Sequence, residues 1–113
     1  MNNSVLNLAL FAFISGPNMV LANNGSVTIT SPANGAVIES YYKTEVKFEA
    51  SPGSNGDHLH LNVDGKRVDV IHQFKGTVRL DALQPGRHRI CLAVNSKSHV
   101  PTGAEGCINV ASR

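Results

Sequence analysis

Residues 58–71 read HLHLNVDGKRVDVI, the clearest signal of local structure in the chain. Polar and apolar residues alternate on both sides of the dipeptide Asp64-Gly65. An Asp-Gly pair between alternating runs is typical of a β-hairpin, because its type I′ turn needs positive φ at both central positions. The register of this hairpin turns one set of apolar side chains towards a core: Leu59, Leu61, Val63, Val68 and Val70.

The opposite face of the hairpin is polar and carries two histidines. His58 and His60 lie two residues apart on one strand, so both rings project to the same side. Such a pair is a common way to hold a transition metal. The same register pairs His60 with Asp69. The Asp69 carboxylate could then orient the His60 ring through a hydrogen bond to the ring nitrogen that does not bind the metal.

Short strand-like segments and turn clusters continue on both sides of the hairpin. No segment after residue 22 has the 3.6-residue apolar periodicity of a helix. About seven short strands at this spacing predict an all-β, immunoglobulin-like antiparallel β-sandwich, with a loop over residues 95–106 before the last strand. The other predicted strands cover residues 26–30, 45–50, 77–83, 87–94 and a final segment around Ile108 and Val110.

The first 22 residues differ from the rest of the chain. Val5 to Ile14 is an apolar run with the length of a signal-peptide core, too short to cross a bilayer, and Val20-Leu21-Ala22 suits a signal peptidase. No Lys or Arg precedes the run, so a retained apolar strand or anchor is the alternative. We expect cleavage after Ala22, which leaves residues 23–113 as a periplasmic or secreted sandwich domain.

Length and charge limit the function classes. The chain has 113 residues, with ten Lys and Arg against eight Asp and Glu, and a net charge of +2. This length allows one domain. The charge is too small to predict binding to nucleic acid, or to a membrane after cleavage. We expect a monomer or a weak dimer.

The two cysteines lie on the last two predicted strands. Cys91 and Cys107 are out of phase with the core residues Ile90 and Ile108, so both point to the outer face, within bridging reach. An oxidising compartment favours a disulfide, which adds about 2–4 kcal/mol to the stability of a small domain. The alternative is a pair of thiolate metal ligands.

Further metal candidates gather at one end of the predicted sandwich, because the third and sixth strands of this class are neighbours. We predict His58, His60 and His99 as ligands, with Asp57 or water in a fourth position. His72 is a further candidate, although the register turns it inward. His88 lies at the opposite end, in phase with the core, and is predicted to be a hydrogen-bonded structural residue. The alternative is that all these residues are ordinary polar groups on a sheet surface.

The ligand chemistry limits the choice of metal. The predicted mature chain contains no methionine, and its cysteines are expected to be oxidised. Soft sulfur ligands for Cu(I) are therefore missing, and imidazoles favour one Cu(II) or Zn(II) ion.

Three motifs carry a resemblance to a known group of proteins: Asp57-His58-Leu59-His60, Pro85-Gly86-Arg87-His88 and His99-Val100-Pro101. They resemble small exported bacterial domains of unknown function that have an immunoglobulin-like sandwich. The resemblance covers residues 56–111 and implies that fold and a periplasmic location, but no settled activity. The chain departs from the group by lacking a third consecutive histidine and by having the two cysteines.

Two function classes follow from these observations. The first is a periplasmic or secreted protein that holds Cu(II) or Zn(II) on surface histidines. The second is a non-catalytic module that binds protein or glycan, for which the fold alone names no partner. We do not expect an enzyme, because no nucleophile elbow accompanies the Ser, His and Asp residues, and a sandwich of about ninety residues seldom offers a deep cleft.

We expect the purified exported protein to begin at Asn23 and to contain no methionine, because both methionines precede that residue. Intact-mass measurement checks this. A mature mass that still includes residues 1–22 would rule out cleavage after Ala22.

Overall fold

The computed structural model describes residues 23–113, and the predicted leader lies outside the described residues. The described chain is an all-β sandwich of two sheets, which confirms the predicted fold class. None of its segments forms a helix long and apolar enough to cross a membrane. Its eight strands are β1 (Ser26–Ser31), β2 (Val37–Ile38), β3 (Thr44–Ser51), β4 (His58–Val63), β5 (Lys66–Ile71), β6 (Lys75–Leu80), β7 (Gly86–Asn95) and β8 (Pro101–Ser112).

The strands divide into a three-stranded sheet, β1-β3-β6, and a five-stranded sheet, β2-β8-β7-β4-β5. All neighbours are antiparallel except β2, which runs parallel to β8. The expected contact between the third and sixth predicted strands is present as the pairing of β4 with β7. The sequence analysis missed β2, because two residues carry no alternation pattern and form a strand only through their partner.

The core lies between the two sheets. Val46 and Phe48 of β3 face the inward residues of β4 and β7, which are almost completely buried. Leu61 pairs directly with Leu92 in the centre of the five-stranded sheet. Alternation along β4 and β7 therefore places one set of side chains in the core and the other on the outer face.

The predicted hairpin is confirmed, since Asp64 and Gly65 both have positive φ, 53° and 84°. Its register, however, contains a bulge: Asn62 pairs with Arg67, but Leu61 pairs with Asp69, so Val68 has no partner. The predicted inward positions of Val68 and Val70 are therefore wrong. Val68 is 50% exposed, and Ile71 takes the buried position instead.

The predicted pairing of His60 with Asp69 is wrong for the same reason. His60 pairs with Val70, and Asp69 Oδ1 accepts a hydrogen bond from the Val70 N–H. One extra residue on a strand reverses the face of every residue beyond it. Polar and apolar residues alternate over residues 67–70, which predicted the register without a bulge. The adjacent apolar pair Val70-Ile71 was a sign of a change in phase that this prediction did not use.

The tip of this hairpin is fastened to β7 at the end remote from His58. Asp64 Oδ1 accepts the Arg89 N–H at 2.8 Å, and Oδ2 accepts the His88 Nδ1–H at 2.6 Å. His88 Nε2 donates to the Gln84 carbonyl at 2.7 Å. Both ring nitrogens therefore act as donors, and the Asp64 hydrogen bond, followed by the one to Gln84, raises the pKa of His88. The predicted structural role of His88 is confirmed.

The last hairpin is tighter than predicted. Only residues 96–100 connect β7 to β8, so the predicted loop over residues 95–106 is wrong. Glycines in this stretch indicate a loop, but a Cβ at Gly106 would lie 2.6 Å from the Val27 carbonyl oxygen, so the glycine lets β1 approach β8. Cys91 and Cys107 are directly paired and form the predicted disulfide.

We expect Leu92→Ala to lower the free energy of unfolding by about 2–5 kcal/mol, because it removes a fully buried side chain from the centre of the core. Urea unfolding measures the loss. Val37→Ala, at a position that is 54% exposed, is the control and should change stability by less than about 0.5 kcal/mol. Equal losses in the two variants would contradict the inward orientation of Leu92.

Candidate metal centre

Three histidine rings converge on one point of the outer face of the five-stranded sheet. His58 Nε2 lies 3.1 Å from His60 Nε2 and 3.2 Å from His99 Nδ1. The third side of the triangle, from His60 Nε2 to His99 Nδ1, is also 3.2 Å. We call these three residues the histidine triad.

Hydrogen bonds alone do not explain this triangle. A neutral imidazole nitrogen carries either one N–H or one lone pair, and each points in a single direction. Among three such nitrogens, one N–H can donate a hydrogen bond to one lone pair, and the third nitrogen is then left without a partner. A cation in the middle would satisfy three lone pairs at once, so these three residues could hold a metal ion.

The residue before the triad fixes the tautomer of its most buried ring. His58 is 2% exposed, and its Nδ1 lies 2.9 Å from Asp57 Oδ2. The hydrogen bond with His58 holds the pKa of Asp57 below its usual value, so the carboxylate is ionised and accepts the Nδ1–H. The Nε2 of a neutral His58 then presents its lone pair to the triad, as in carboxylate–histidine–metal arrangements.

His60 is half-buried beside this ring. Burial lowers the pKa of His60, and repulsion from His58, Arg67 and His99, which the two histidines exert only when protonated, lowers it further. The ring is thus neutral at pH 7 and available as a ligand.

His99 reaches the triad from a tight turn. The Ser96 N–H donates to the Val100 carbonyl, and the His99 N–H donates to the Ser96 carbonyl, both at 2.8 Å. His99 has a φ of 65°, in the left-handed region that L-residues other than Asn and Asp rarely adopt. The turn holds this backbone conformation and directs Nδ1 of the ring at His58 and His60.

The other predicted site residues have different positions. Asp57 lies behind His58 rather than among the three ligand nitrogens. His72 is exposed rather than inward, because the β5 bulge reverses its phase, and its ring centroid lies 5.7 Å from that of His58. His72 is not a member of the triad. Asp69 does not contact His60, as described above.

Sequence reasoning missed Asn95, which ends β7 directly opposite His58. Its side chain is 1% exposed, and Nδ2 donates to the Ala93 carbonyl at 3.2 Å. The Asn95 Oδ1 is buried and has no hydrogen-bond partner among residues 23–113. A lone polar residue at the end of an apolar strand was the only sequence sign of a buried acceptor beside the triad.

Cys91, Glu105 and Cys107 form a second cluster of metal-ligand types on the same face. The two sulfurs are joined to each other, so this cluster offers no thiolate. The thiolate alternative is therefore not the state that the structure shows.

Comparison with known proteins supports the fold. No family model and no curated protein matches the chain. Among solved structures, it is similar to fibronectin(III)-like modules of CbhA from Clostridium thermocellum, with 15% identity and a TM-score of 0.65 over 77% of this chain and 96% of that chain.

Two further structures share the fold. The CARDB domain of PF1109 from Pyrococcus furiosus, in complex with di-metal ions, has 14% identity and a TM-score of 0.55 over 84% of this chain and 97% of that one. A lytic polysaccharide monooxygenase from Jonesia denitrificans has 19% identity and a TM-score of 0.51, over 70% of this chain and 58% of that one. At these identities the likeness shows an immunoglobulin-like sandwich and nothing finer.

We expect His99→Gly to remove the imidazole ring without lowering the stability of the fold, because glycine adopts positive φ at no steric cost. His99→Ala is the matched control: it also removes the ring but keeps a Cβ in the left-handed conformation, so it should be less stable than the glycine variant by about 1 kcal/mol. Thermal unfolding in a chelator measures this difference. Equal stability of the two variants would show that the turn in solution lacks the left-handed His99.

Proposed function

We propose that this chain is an exported, non-catalytic immunoglobulin-like module that binds one divalent transition-metal ion, Zn(II) or Cu(II), through the histidine triad. The single observation that carries the proposal is the triangle of ring nitrogens with sides of 3.1, 3.2 and 3.2 Å. The apolar leader predicted over residues 1–22 supports export. The fibronectin(III)-like and CARDB neighbours support a binding module rather than an enzyme.

The shape of the triangle favours Zn(II). In tetrahedral coordination with Zn–N distances of about 2.0–2.1 Å, ligand nitrogens lie about 3.3–3.4 Å apart, close to all three observed sides. A square-planar Cu(II) site with three imidazoles has one trans pair about 4 Å apart, which the nearly equilateral triangle does not offer. Cu(II) binding therefore requires at least one ring to move.

Three imidazoles leave one position of a tetrahedral ion for water or an external ligand. Asp57 Oδ2 is occupied by His58, and the His72 ring lies outside the triangle. The buried acceptor at Asn95 adjoins the triad and suits a metal-bound water. An open position of this kind fits a carrier or sensor better than a closed structural site.

The fold class is compatible with such a role, since the CARDB neighbour was solved with di-metal ions. The three proposed ligands lie on a paired strand and on a hydrogen-bonded turn, which hold their backbones in place. Preorganisation of this kind reduces the ordering cost of binding.

Isothermal titration of the purified, chelator-treated protein with Zn(II) and Cu(II) at neutral pH tests the proposal. We expect one ion per chain. Titrating Cu(II) into the Zn(II)-loaded protein measures which of the two metals binds more tightly. His60→Ala should weaken metal binding by more than about 100-fold, because it removes a ligand. Asp57→Asn keeps all three histidines but removes the carboxylate that fixes the tautomer of His58, so it should weaken binding by about 10- to 100-fold. Binding should weaken as pH falls below about 6.5, where protons compete for the rings.

The matched controls are the two histidines outside the triad. His88→Ala, at the other end of the sandwich, should leave the stoichiometry unchanged, and His72→Ala should have far less effect than His60→Ala. A wild-type protein that takes up neither metal at micromolar concentration overturns the proposal. So does a loss of uptake that occurs only with His88→Ala.

A further inference from the structure

Three of the five arginines of the chain lie on the outer face of the five-stranded sheet. Arg67 of β5 pairs with the outward residue Asn62, and it lies near enough to His60 to lower the pKa of that ring. Arg87 and Arg89 of β7 alternate with the inward residues His88 and Ile90, and Arg89 pairs with Asn109 of β8. We call this surface the arginine face; it comprises Arg67, Arg87 and Arg89 with the two asparagines Asn62 and Asn109.

The guanidinium groups of this face have no partners within residues 23–113. The lysine ion pairs of the described chain, Lys43–Asp81 and Lys75–Glu49, involve no residue of the face. The nearest carboxylate on the hairpin tip, Asp64, is already engaged by the His88 ring and by the Arg89 backbone N–H. None of the three guanidinium groups is therefore held in an ion pair within the described residues.

A groove lies beside two of these arginines. Arg87 and Arg89 border a cavity of about 660 Å³ that Asn109 also lines, with Gly35 on one side and Asp64 on the other. The wall at Gly35 is fixed, since the Gly35 N–H donates to the Asn109 carbonyl at 2.7 Å. The Asn109 N–H donates to Asn34 Oδ1 at 2.8 Å, which ties the same turn to β8 a second time. The volume lies within the range of small-molecule sites.

The residue types of the face select a class of ligand. A guanidinium group binds carboxylate or sulfate through two parallel hydrogen bonds. Asparagine side chains offer both donors and acceptors, as hydroxyl groups require. Arg87 and Arg89 are about 6.7 Å apart along β7. Arg67 lies two strands across from Cys91, so it is roughly 12 Å from Arg89, and the charges suit an extended ligand with repeated anionic groups.

The exposed large apolar residues are Tyr41 and Tyr42 in the β2–β3 connection, Val68 at the β5 bulge, Val100 in the His99 turn, and Val37 on the edge strand β2. Only Val37 adjoins the groove, at its edge, because it pairs with the lining residue Ala111. Protein interfaces depend on buried aromatic or apolar anchors at their centre, which the groove does not supply. The balance favours a hydroxylated anionic chain over an acidic protein.

We propose that the arginine face binds an acidic polysaccharide, with its carboxylate or sulfate groups on Arg87, Arg89 and Arg67 and its hydroxyl groups on Asn109 and Asn62. This binding does not depend on the histidine triad. It assigns a ligand class to a surface outside the metal centre.

Fluorescence anisotropy with the full purified protein tests the assignment, using labelled polygalacturonate and heparin in chelator-containing buffer at 50 mM and 300 mM NaCl. We expect binding at the lower salt concentration that weakens at the higher one. The double variant Arg87→Ala/Arg89→Ala should bind at least about tenfold more weakly, since each lost charge-assisted hydrogen bond costs a factor of that order. Comparing the two polymers separates a carboxylate from a sulfate requirement.

The matched control is Arg79→Ala, which removes an exposed arginine from the three-stranded sheet and should leave the affinity unchanged. His60→Ala should also bind the polysaccharide as wild type does, so failure of the metal proposal and failure of this one are distinguishable. No binding to either polymer at 50 mM NaCl overturns the proposal. Equal or tighter binding to poly-glutamate or to single-stranded DNA does so as well, and equal losses in Arg79→Ala and the double variant would show nonspecific attraction.

Discussion

The antiparallel pairing of β4 with β7 sets both the core and the positions of the strand histidines. Its inward side joins Leu61 to Leu92 and so forms the centre of the core. Its outward side places His58 opposite Asn95, the residue from which the His99 turn departs. Because a pleated strand alternates faces, a register that buries the leucines must also present His58 and His60 outward. Core packing and the outward placement of these two histidines are thus one constraint.

Three different features of the structure position the histidine triad. The strand pairing places His58 and His60, the Asp57 carboxylate fixes the tautomer of His58, and the turn at residues 96–100 holds His99 in a left-handed conformation. A strained backbone at a ligand persists only where its surroundings enforce it. Here the two hydrogen bonds of the turn, between Ser96 and its partners Val100 and His99, provide that enforcement.

The outer face of the five-stranded sheet has two chemically different regions. The histidine triad lies at the end where β4 begins, and Arg87 and Arg89 lie at the opposite end, beside the tip of the β4–β5 hairpin. The Cys91–Cys107 disulfide lies between them and joins the two strands that flank the His99 turn. A metal ion bound at the triad, as proposed, would add positive charge to a face that carries three arginines outside ion pairs. Both regions would therefore favour anionic ligands, one through coordination and one through guanidinium groups.

Alternation and turn chemistry are local properties, so the sequence was enough to predict the sandwich, the Asp64-Gly65 turn and the outward phase of the cysteines. It was also enough to bring His58, His60 and His99 together at one end of the sheet. Features that depend on a partner strand or on side-chain packing are visible only in the folded chain. The bulge at Val68 moved Asp69 away from His60 and turned His72 outward, and the alternation over residues 67–70 did not reveal it. Likewise, Asn95 became a buried acceptor, and Asp57 a partner of His58 rather than a ligand, through contacts that only the packed strand ends create.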